Sequence, residues 1–246
     1  MLASAVALVA TLLVAGWLTE RGDQWCARIR LATLDPAAGY RRALEDHLPN
    51  STLVVDHFHC VKLANQAIDD VRRRVQNDTL GHRGRKADPL YRARRVLLTA
   101  DERLTEERFA WMASLLDVGD PDGEVAATWI GKELLREVFS AVDEAHARRR
   151  MIAFYTWCAD ADVPELSRLA RTVSRWSELI FAYHRTGRAS NGRVENAHML
   201  IEKTRRQAHG FTNLDNYRRR LIGRHGIKWH TQPVRRIRGR QPRFIA

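Results

Sequence analysis

The stretch Ile29–Val61 has the sequence IRLATLDPAAGYRRALEDHLPNSTLVVDHFHCV, and it decides the fold. Ile29–Leu34 is a short β-compatible run, and Leu53–Val55 is the continuous apolar run that a buried parallel strand requires. Between them, residues 37–48 carry apolar side chains at helical spacing. A helix between two strands predicts a right-handed parallel crossover, and the spacing predicts a second helix over Phe58–Val75.

An aspartate follows each of the two predicted strands. Asp35 comes before Pro36, an arrangement that predicts Asp35 as the N-cap of the first helix. Asp56 follows the second strand directly. Ligands bind at the carboxyl ends of the strands in open α/β sheets, and parallel strands share that edge. We therefore expect Asp35 and Asp56 to lie close together at a binding edge.

A third acidic motif, Ser190-Asn191-Gly192-Arg193-Val194-Glu195, opens another predicted helix. Ser190 and Asn191 are alternative N-caps, and Glu195 falls in the first turn. The glutamate could serve as a metal ligand, or it could simply complement the helix dipole. Carboxylates that converge from separate elements are what metal-assisted phosphoryl transfer requires.

The positive charge is large and concentrated towards the carboxyl end. The chain has 246 residues, with 41 Lys and Arg against 29 Asp and Glu, a net charge of +12. Residues 183–246 alone hold 16 basic and 3 acidic residues. Residues 72–95 hold 9 basic and 2 acidic residues, and a solvated helix face explains that run equally well. Such an excess predicts a polyanionic partner, either nucleic acid or an anionic membrane.

The amino-terminal run Leu2–Leu18 is nearly all apolar and has about the minimum length for a membrane span. It has no positively charged region before it, no charge asymmetry and no clear processing site, so we expect that it does not span a membrane. A buried element, or a non-native amino terminus on a fragment, are the alternatives.

The cysteine content indicates a reducing compartment. Cys26, Cys60 and Cys158 are odd in number and form no Cys-x-x-Cys pair. His57, His59 and Cys60 lie on one short segment, which rarely provides a full tetrahedral zinc site.

The middle of the chain predicts a helical region. Residues 81–89 form a basic loop that lacks the ending of a phosphate-binding loop. Helical patterns follow at Thr105–Leu116, Glu124–Ala147 and Pro164–Tyr183. The tryptophans on these patterns are predicted to belong mostly to the core.

Several longer segments of the sequence match one protein family. The stretch from about Trp17 to Gly226 closely resembles bacterial insertion-sequence transposases with a DDE domain, of the ISL-three family. The words that carry the resemblance are Ala32-Thr33-Leu34-Asp35, Gly39-Tyr40-Arg41, Leu48-Pro49-Asn50, Val55-Asp56-His57-Phe58-His59-Cys60-Val61-Lys62-Leu63-Ala64-Asn65, Arg72-Arg73-Arg74-Val75-Gln76-Asn77, Thr79-Leu80-Gly81-His82-Arg83-Gly84-Arg85-Lys86, Ser190-Asn191-Gly192 with Glu195, and Gly210-Phe211-Thr212-Asn213.

The resemblance implies an α/β fold that is mostly helical by content. Its catalytic core would be RNase H-like, with an incomplete sheet and a large helical insertion. The expected organisation is an apolar segment over 1–25, a βαβα part of the core over 26–76, the insertion over 77–183, core helices over 184–228 and a basic, disordered tail over 229–246.

The resemblance also implies three carboxylates that hold two divalent cations, Mg²⁺ or Mn²⁺, to cleave and rejoin DNA. The third acid falls on Glu195 and the second on Asp35. Asp56 and His59 then form the Asp-x-x-His signature that follows the next strand. The alternative is that Asp56 is itself the second acid. Asp35, Asp56 and Glu195 are thus the expected metal ligands, and these three with His59 are the expected catalytic residues.

Double-stranded DNA is the implied partner, and no small-molecule substrate or membrane is expected. The full-length protein is expected to form homo-oligomers and to work in the cytoplasm on the nucleoid. The residues expected to contact DNA are Lys203, Arg205, Arg206, Arg218, Arg219, Arg220, Arg235, Arg236, Arg238 and Arg240.

The sequence departs from the family pattern at several points. The first acid would lie on a strand before residue 1, Val194 replaces a usual Thr, and Glu202 replaces a usual basic residue. The family's amino-terminal zinc and helix-turn-helix modules have no counterpart. The expectation is a truncated, inactive carboxy-terminal part of a transposase. A non-enzymatic basic DNA-binding remnant and a membrane-anchored basic protein are the two alternatives.

Overall fold

The computed structural model describes residues 2–226, with side chains from residue 11 to residue 224. The chain divides into two units, Met1–Asn191 and Gly192–Ala246. The elements of the first unit are α1 (Leu2–Arg21), α2 (Asp23–Cys26), β1 (Leu31–Leu34), α3 (Ala38–His47), β2 (Thr52–Val55), α4 (His57–Leu80), α5 (Pro89–Ala93), a 3₁₀ turn (Asp101–Arg103), α6 (Glu106–Gly119), α7 (Glu124–Ser140), α8 (Glu144–Asp160), α9 (Pro164–Arg175) and α10 (Ser177–Arg185). The second unit contains α11 (Gly192–Gln207), α12 (Leu214–Leu221) and a π-helical turn (Ile222–Gly226).

The described part of the chain is mostly helical, with one small parallel sheet. β1 and β2 pair in parallel, with a register that runs from Leu31 opposite Thr52 to Leu34 opposite Val55. Helix α3 connects the two strands, so the predicted strand–helix–strand order and the parallel pairing are confirmed. Val55 is fully buried because α10 packs against β2.

Helix α4 is the central element of the first unit. Its apolar side chains recur every three or four residues, and Ala64, Ile68 and Val71 are buried. This face packs against α7 and α9. The helix continues past the predicted end at Val75 until Gly81, whose φ of 70° provides the left-handed C-cap.

The two longer predicted helical patterns each form two helices. The run Glu124–Ala147 breaks after Ser140, because the side chain of Asp143 accepts a hydrogen bond from the His146 backbone N–H and caps a new helix. The run Pro164–Tyr183 breaks at Trp176, which joins α9 to α10.

The tryptophans of the helical region are only partly in the core. Trp176 is buried, and the Trp157 Nε1–H donates to the Ala127 carbonyl at 2.9 Å. Trp111 is 39% exposed and stacks near the guanidinium of Arg92, so the core prediction is wrong for this residue.

The apolar amino-terminal run forms helix α1, which packs against α3. Leu18, Cys26 and Leu48 make a small buried cluster there. The approach is close at Gly39, where an added Cβ would lie 2.1 Å from Thr11 Oγ1. Within residues 2–226, no helix combines the length and the apolar character that a membrane crossing needs.

The basic run at residues 72–95 is not simply a solvated helix face. Arg72 is 4% exposed and donates to Gln76 Oε1 at 2.5 Å. Arg74 on α4 makes bidentate ion pairs with Glu124 of α7 and Glu165 of α9, through four hydrogen bonds of 2.9–3.0 Å. Arg74 therefore joins three helices of the first unit, whereas Arg72 is buried against residues of its own helix.

The predicted division of the chain into five parts stays a prediction. The basic tail expected over residues 229–246 lies outside the described residues.

Candidate metal centre

Asp35 and Asp56 are side by side at the carboxyl edge of the sheet. Leu34 and Val55 are partners in the register, and each aspartate is the next residue along its strand. Asp56 also precedes helix α4, which starts at His57. The convergence expected from the sequence is therefore present in the backbone itself.

The predicted capping role of Asp35 is wrong. The N-cap of α3 is Ala37, whose backbone is extended and which has no side-chain cap. The Ala37 N–H donates to the Asp35 carbonyl at 2.7 Å, a tight turn centred on Pro36 that separates the strand from the helix. The Asp35 carboxylate is consequently available to the site instead of to the helix.

His59 joins the two carboxylates. It is in the first turn of α4, and its Nδ1 lies 2.9 Å from Asp56 Oδ2 and 3.2 Å from Asp35 Oδ1. One ligand atom from each of the three residues lies within 4.8 Å of the others. The Asp56 side chain is 0% exposed, whereas those of His59 and Asp35 are 27% and 43% exposed. The cluster therefore has a buried end at Asp56 and an open end at Asp35.

Asn191, the last residue of the first unit, completes this arrangement. Its Nδ2 donates to Asp35 Oδ1 at 3.3 Å, and its backbone N–H donates to Asp56 Oδ1 at 3.3 Å. The Thr33 hydroxyl donates to the Asn191 side-chain carbonyl. The sequence analysis missed this role, because it assigned Asn191 only as a possible helix cap. The Ser190-Asn191-Gly192 motif, which carries part of the family resemblance, was the feature that could have marked Asn191 as a site residue.

The thiol of Cys60 and the phenol of Tyr183, both near Asp56, stay protonated at physiological pH. Burial, and then the charge of Asp56, raise the pKa of the Cys60 thiol to about 12. Burial also raises the pKa of Tyr183, with Asp56 adding to the rise and Arg188 opposing it. The His57 ring lies 5.2 Å from that of Tyr183, and its Nδ1 lies 3.7 Å from Asp56 Oδ1. No thiolate or phenolate therefore competes with the two carboxylates.

The donor set fits a divalent cation. Carboxylate oxygens are the ligands that Mg²⁺ and Mn²⁺ prefer, and an imidazole nitrogen suits Mn²⁺ as well. A buried carboxylate next to a second one is costly unless cationic or N–H partners offset the charge. Asp35, Asp56 and His59 thus offer the chemistry of a metal site.

Glu195 belongs to the second unit, where it lies in the first turn of α11 and is partly buried. The first unit brings together Asp35, Asp56 and His59, and the structure of α11 places an acidic side chain at its positive end.

The basic candidates in the second unit differ in their partners. Arg205 and Arg206 pair with Glu202, at 2.8 and 3.9 Å. Lys203 and the three arginines of α12 are exposed, and no carboxylate lies within 4.0 Å of them in the described part of the chain. Arg220 also lines a cavity of about 300 Å³ with Phe211, Gln207 and Arg224. Arg235, Arg236, Arg238 and Arg240 lie outside the described residues.

Comparisons with known proteins bear on this site. A family model described as a transposase, of the DDE type ISL3, matches residues 11–221. Two curated proteins, each named "Transposase for insertion sequence element IS1557" and from Mycobacterium tuberculosis strains CDC 1551 / Oshkosh and ATCC 25618 / H37Rv, are 27% identical to the chain. The alignments cover 83% of this chain and 52% of each relative, so the chain spans about half the length of these relatives. No solved structure matches.

Proposed function

Because this chain belongs to the ISL3 family of DDE transposases, we propose that it carries part of an active site for DNA strand cleavage and strand transfer. The observation that carries the proposal is the convergence of Asp35, Asp56 and His59 at the carboxyl edge of a parallel sheet. This is the edge at which open α/β sheets bind ligands.

The proposed fold is an RNase H-like core that is interrupted by a helical insertion. The β1–α3–β2–α4 unit would be part of that core. Helices α5 to α10 would be the insertion, and α11 would be the core helix that carries the third acid. Two features support this division: the parallel register of the strands and the helical character of residues 89–185.

In this proposal Asp35, Asp56 and Glu195 hold the cations. Glu195 is four residues beyond Asn191, which the structure places against both aspartates. His59 contacts both aspartates and orients them, and it acts with Asp56 as the Asp-x-x-His pair. Whether Asp35 or Asp56 is the second acid of the family pattern depends on which of them binds the cation more directly.

When bound, two divalent cations activate a water or a 3′-hydroxyl and stabilise the leaving oxygen of the phosphodiester. The protein then needs no nucleophile of its own. Its residues fix the positions of the carboxylates, and the buried wall at Val55 and Tyr183 excludes water from one side of Asp56.

We expect little or no strand cleavage from the 246-residue chain alone. A two-metal site needs one carboxylate that bridges the two cations, in addition to the ligands that flank them. The described residues bring only two carboxylates together.

The assay is cleavage and strand transfer on linear DNA with Mg²⁺ or Mn²⁺. Asp35→Ala and Glu195→Ala serve as controls. Metal-dependent cleavage that both substitutions abolish would contradict the expected inactivity and would demonstrate the transposase chemistry directly. Nicking that survives both would indicate contamination.

Duplex DNA is the proposed partner, bound mainly through phosphate contacts by the basic second unit. Deleting residues 233–246, which carry five arginines, is expected to weaken binding and to flatten the slope of log affinity against log salt. Each phosphate contact that is lost should reduce the slope by about 0.9. A salt titration by fluorescence anisotropy measures this. An unchanged slope would remove the tail from the interface.

A DNA substrate places the proposed activity in the cytoplasm on the nucleoid, and the resemblance to the transposase family is the basis for proposing a homo-oligomer at full length. In-cell cross-linking to chromosomal DNA and between copies would check both points. DNA binding without any binding of Mn²⁺ would favour the alternative of a non-enzymatic DNA-binding remnant.

A further inference from the structure

We infer that Asn191 is a positioning residue that sets the separation of the Asp35 and Asp56 carboxylates for metal binding. This inference rests on the proposed function. The observation behind it is that one residue donates to both carboxylates, with its side-chain Nδ2 to Asp35 and its backbone N–H to Asp56, each at 3.3 Å.

Thr33 determines the orientation of the Asn191 amide. The Thr33 hydroxyl donates to the Asn191 carbonyl oxygen, which leaves the NH₂ group to face Asp35. The opposite orientation would place a carbonyl oxygen against a carboxylate, with two acceptors facing each other. Thr33 lies on β1 two residues before Asp35, so the strand supplies both the group that orients the amide and the group that the amide holds.

The backbone bond to Asp56 fixes the other side. Asp56 is fully buried, and its Oδ1 and Oδ2 accept from the Asn191 N–H and from His59 Nδ1 respectively. The bond from Thr33 restrains the Asn191 side chain, so the two donors of this residue bridge the two carboxylates. The bridge limits the separation of the carboxylates in spite of their mutual repulsion. Metal sites depend on such outer contacts to hold their ligands in place.

The backbone and side-chain contributions can be separated by substitution. Asn191→Ala removes the bond to Asp35 but keeps the backbone N–H for Asp56. Thr33→Val removes only the hydroxyl that orients the amide. We expect Asn191→Ala to weaken Mn²⁺ binding by about 10- to 100-fold, as is typical for the loss of an outer-shell partner. Thr33→Val should weaken it less, and the double variant should bind as Asn191→Ala does, since the two residues act through one contact.

The measurement is Mn²⁺ titration of the full chain by electron paramagnetic resonance, together with the thermal midpoint of each variant without metal. A purely structural role would lower the metal-free midpoint and leave the affinity of the folded protein unchanged. Asn196→Ala, at an exposed asparagine of α11, is the matched control and should leave Mn²⁺ affinity unchanged. If Asn191→Ala does not fold, Thr33→Val carries the test.

The outcomes separate this inference from the function on which it rests. Wild-type protein that binds no Mn²⁺ would overturn the proposed metal site itself. Wild-type binding with equal affinity in Asn191→Ala and Thr33→Val would overturn only the positioning role. A selective loss of affinity in these two variants, with Asn196→Ala unaffected, supports it.

Discussion

Replacing Arg74 with methionine is expected to lower the free energy of unfolding by about 2–3 kcal/mol, less than the full cost of breaking a buried ion pair because the site is partly exposed to solvent. Arg74 joins three helices of the first unit, since from α4 it pairs with Glu124 of α7 and Glu165 of α9 through bidentate contacts. Its side chain is 32% exposed, and that of Glu165 is 8% exposed. The larger part of the loss therefore comes from leaving the buried Glu165 with only the longer ion pair to Arg168, at 3.6 Å, among the described residues.

The Arg74–Glu165 ion pair makes the loss of stability in Arg74→Met depend on pH. The hydrogen bond from Arg74 is the main cause that lowers the pKa of Glu165 below its usual value. A carboxyl whose pKa is lower in the folded state contributes stability above its unfolded pKa, and this contribution is lost as the pH falls through the folded pKa. The difference between wild type and Arg74→Met should accordingly be full at neutral pH and shrink below about pH 4.

Urea denaturation at pH 7 and at low pH measures this difference. Arg73→Met is the matched control, because Arg73 is on the same helix but pairs only with Asp69, at 3.5 Å, on an exposed surface. We expect a change within about 0.5 kcal/mol for Arg73→Met. Equal changes in the free energy of unfolding for the two substitutions would contradict the proposed role of Arg74 in holding the three helices together.

The parallel sheet and its two aspartates could be predicted from the sequence because their causes are local. Two short apolar runs, each followed by Asp and separated by one helix, leave few topologies, and the parallel direction of the strands then follows from the crossover. The helix breaks at Asp143 and Trp176 were missed for a different reason. The apolar periodicity continues across both positions, and only the competing cap at Asp143 shows where a new helix begins.

Contacts between distant residues could not be predicted in this way. Nothing local to Arg74 shows that its partners are 50 and 91 residues further along the chain. The link from Thr33 to Asn191 spans 158 residues. Sequence spacing identified Asp35, Asp56 and His59 as candidates, but their mutual distances depend on how the strand ends and the start of α4 pack together.

The largest expected effect at the candidate site is the loss of metal binding in Asp56→Asn. Asp56 is the buried end of the cluster, and its carboxylate faces His59, Asn191 and His57. Neutralising it removes one of two adjacent negative charges, and divalent cations depend on that charge for affinity. We expect Mn²⁺ affinity to fall by more than about 100-fold, beyond the loss that outer-shell substitutions usually cause.

Thermal unfolding with and without Mn²⁺ makes this prediction quantitative. A ligand that binds only the folded protein adds about 2.7 kcal/mol of stability at 100 times its Kd. Wild type should therefore gain thermal stability from Mn²⁺, and Asp56→Asn should gain almost none. Without metal, the substitution should change stability little, because relief of the repulsion between Asp56 and Asp35 offsets the hydrogen bond that is lost where an NH₂ group replaces one accepting oxygen. Asp46→Asn is the matched control: Asp46 is on α3, its side chain is 66% exposed, and its distance to Arg42 is 3.9 Å. This control should keep the full gain from Mn²⁺. An equal gain in wild type and Asp56→Asn would show that the cation binds elsewhere, whereas a gain lost only in Asp56→Asn ties metal binding to the edge of the sheet.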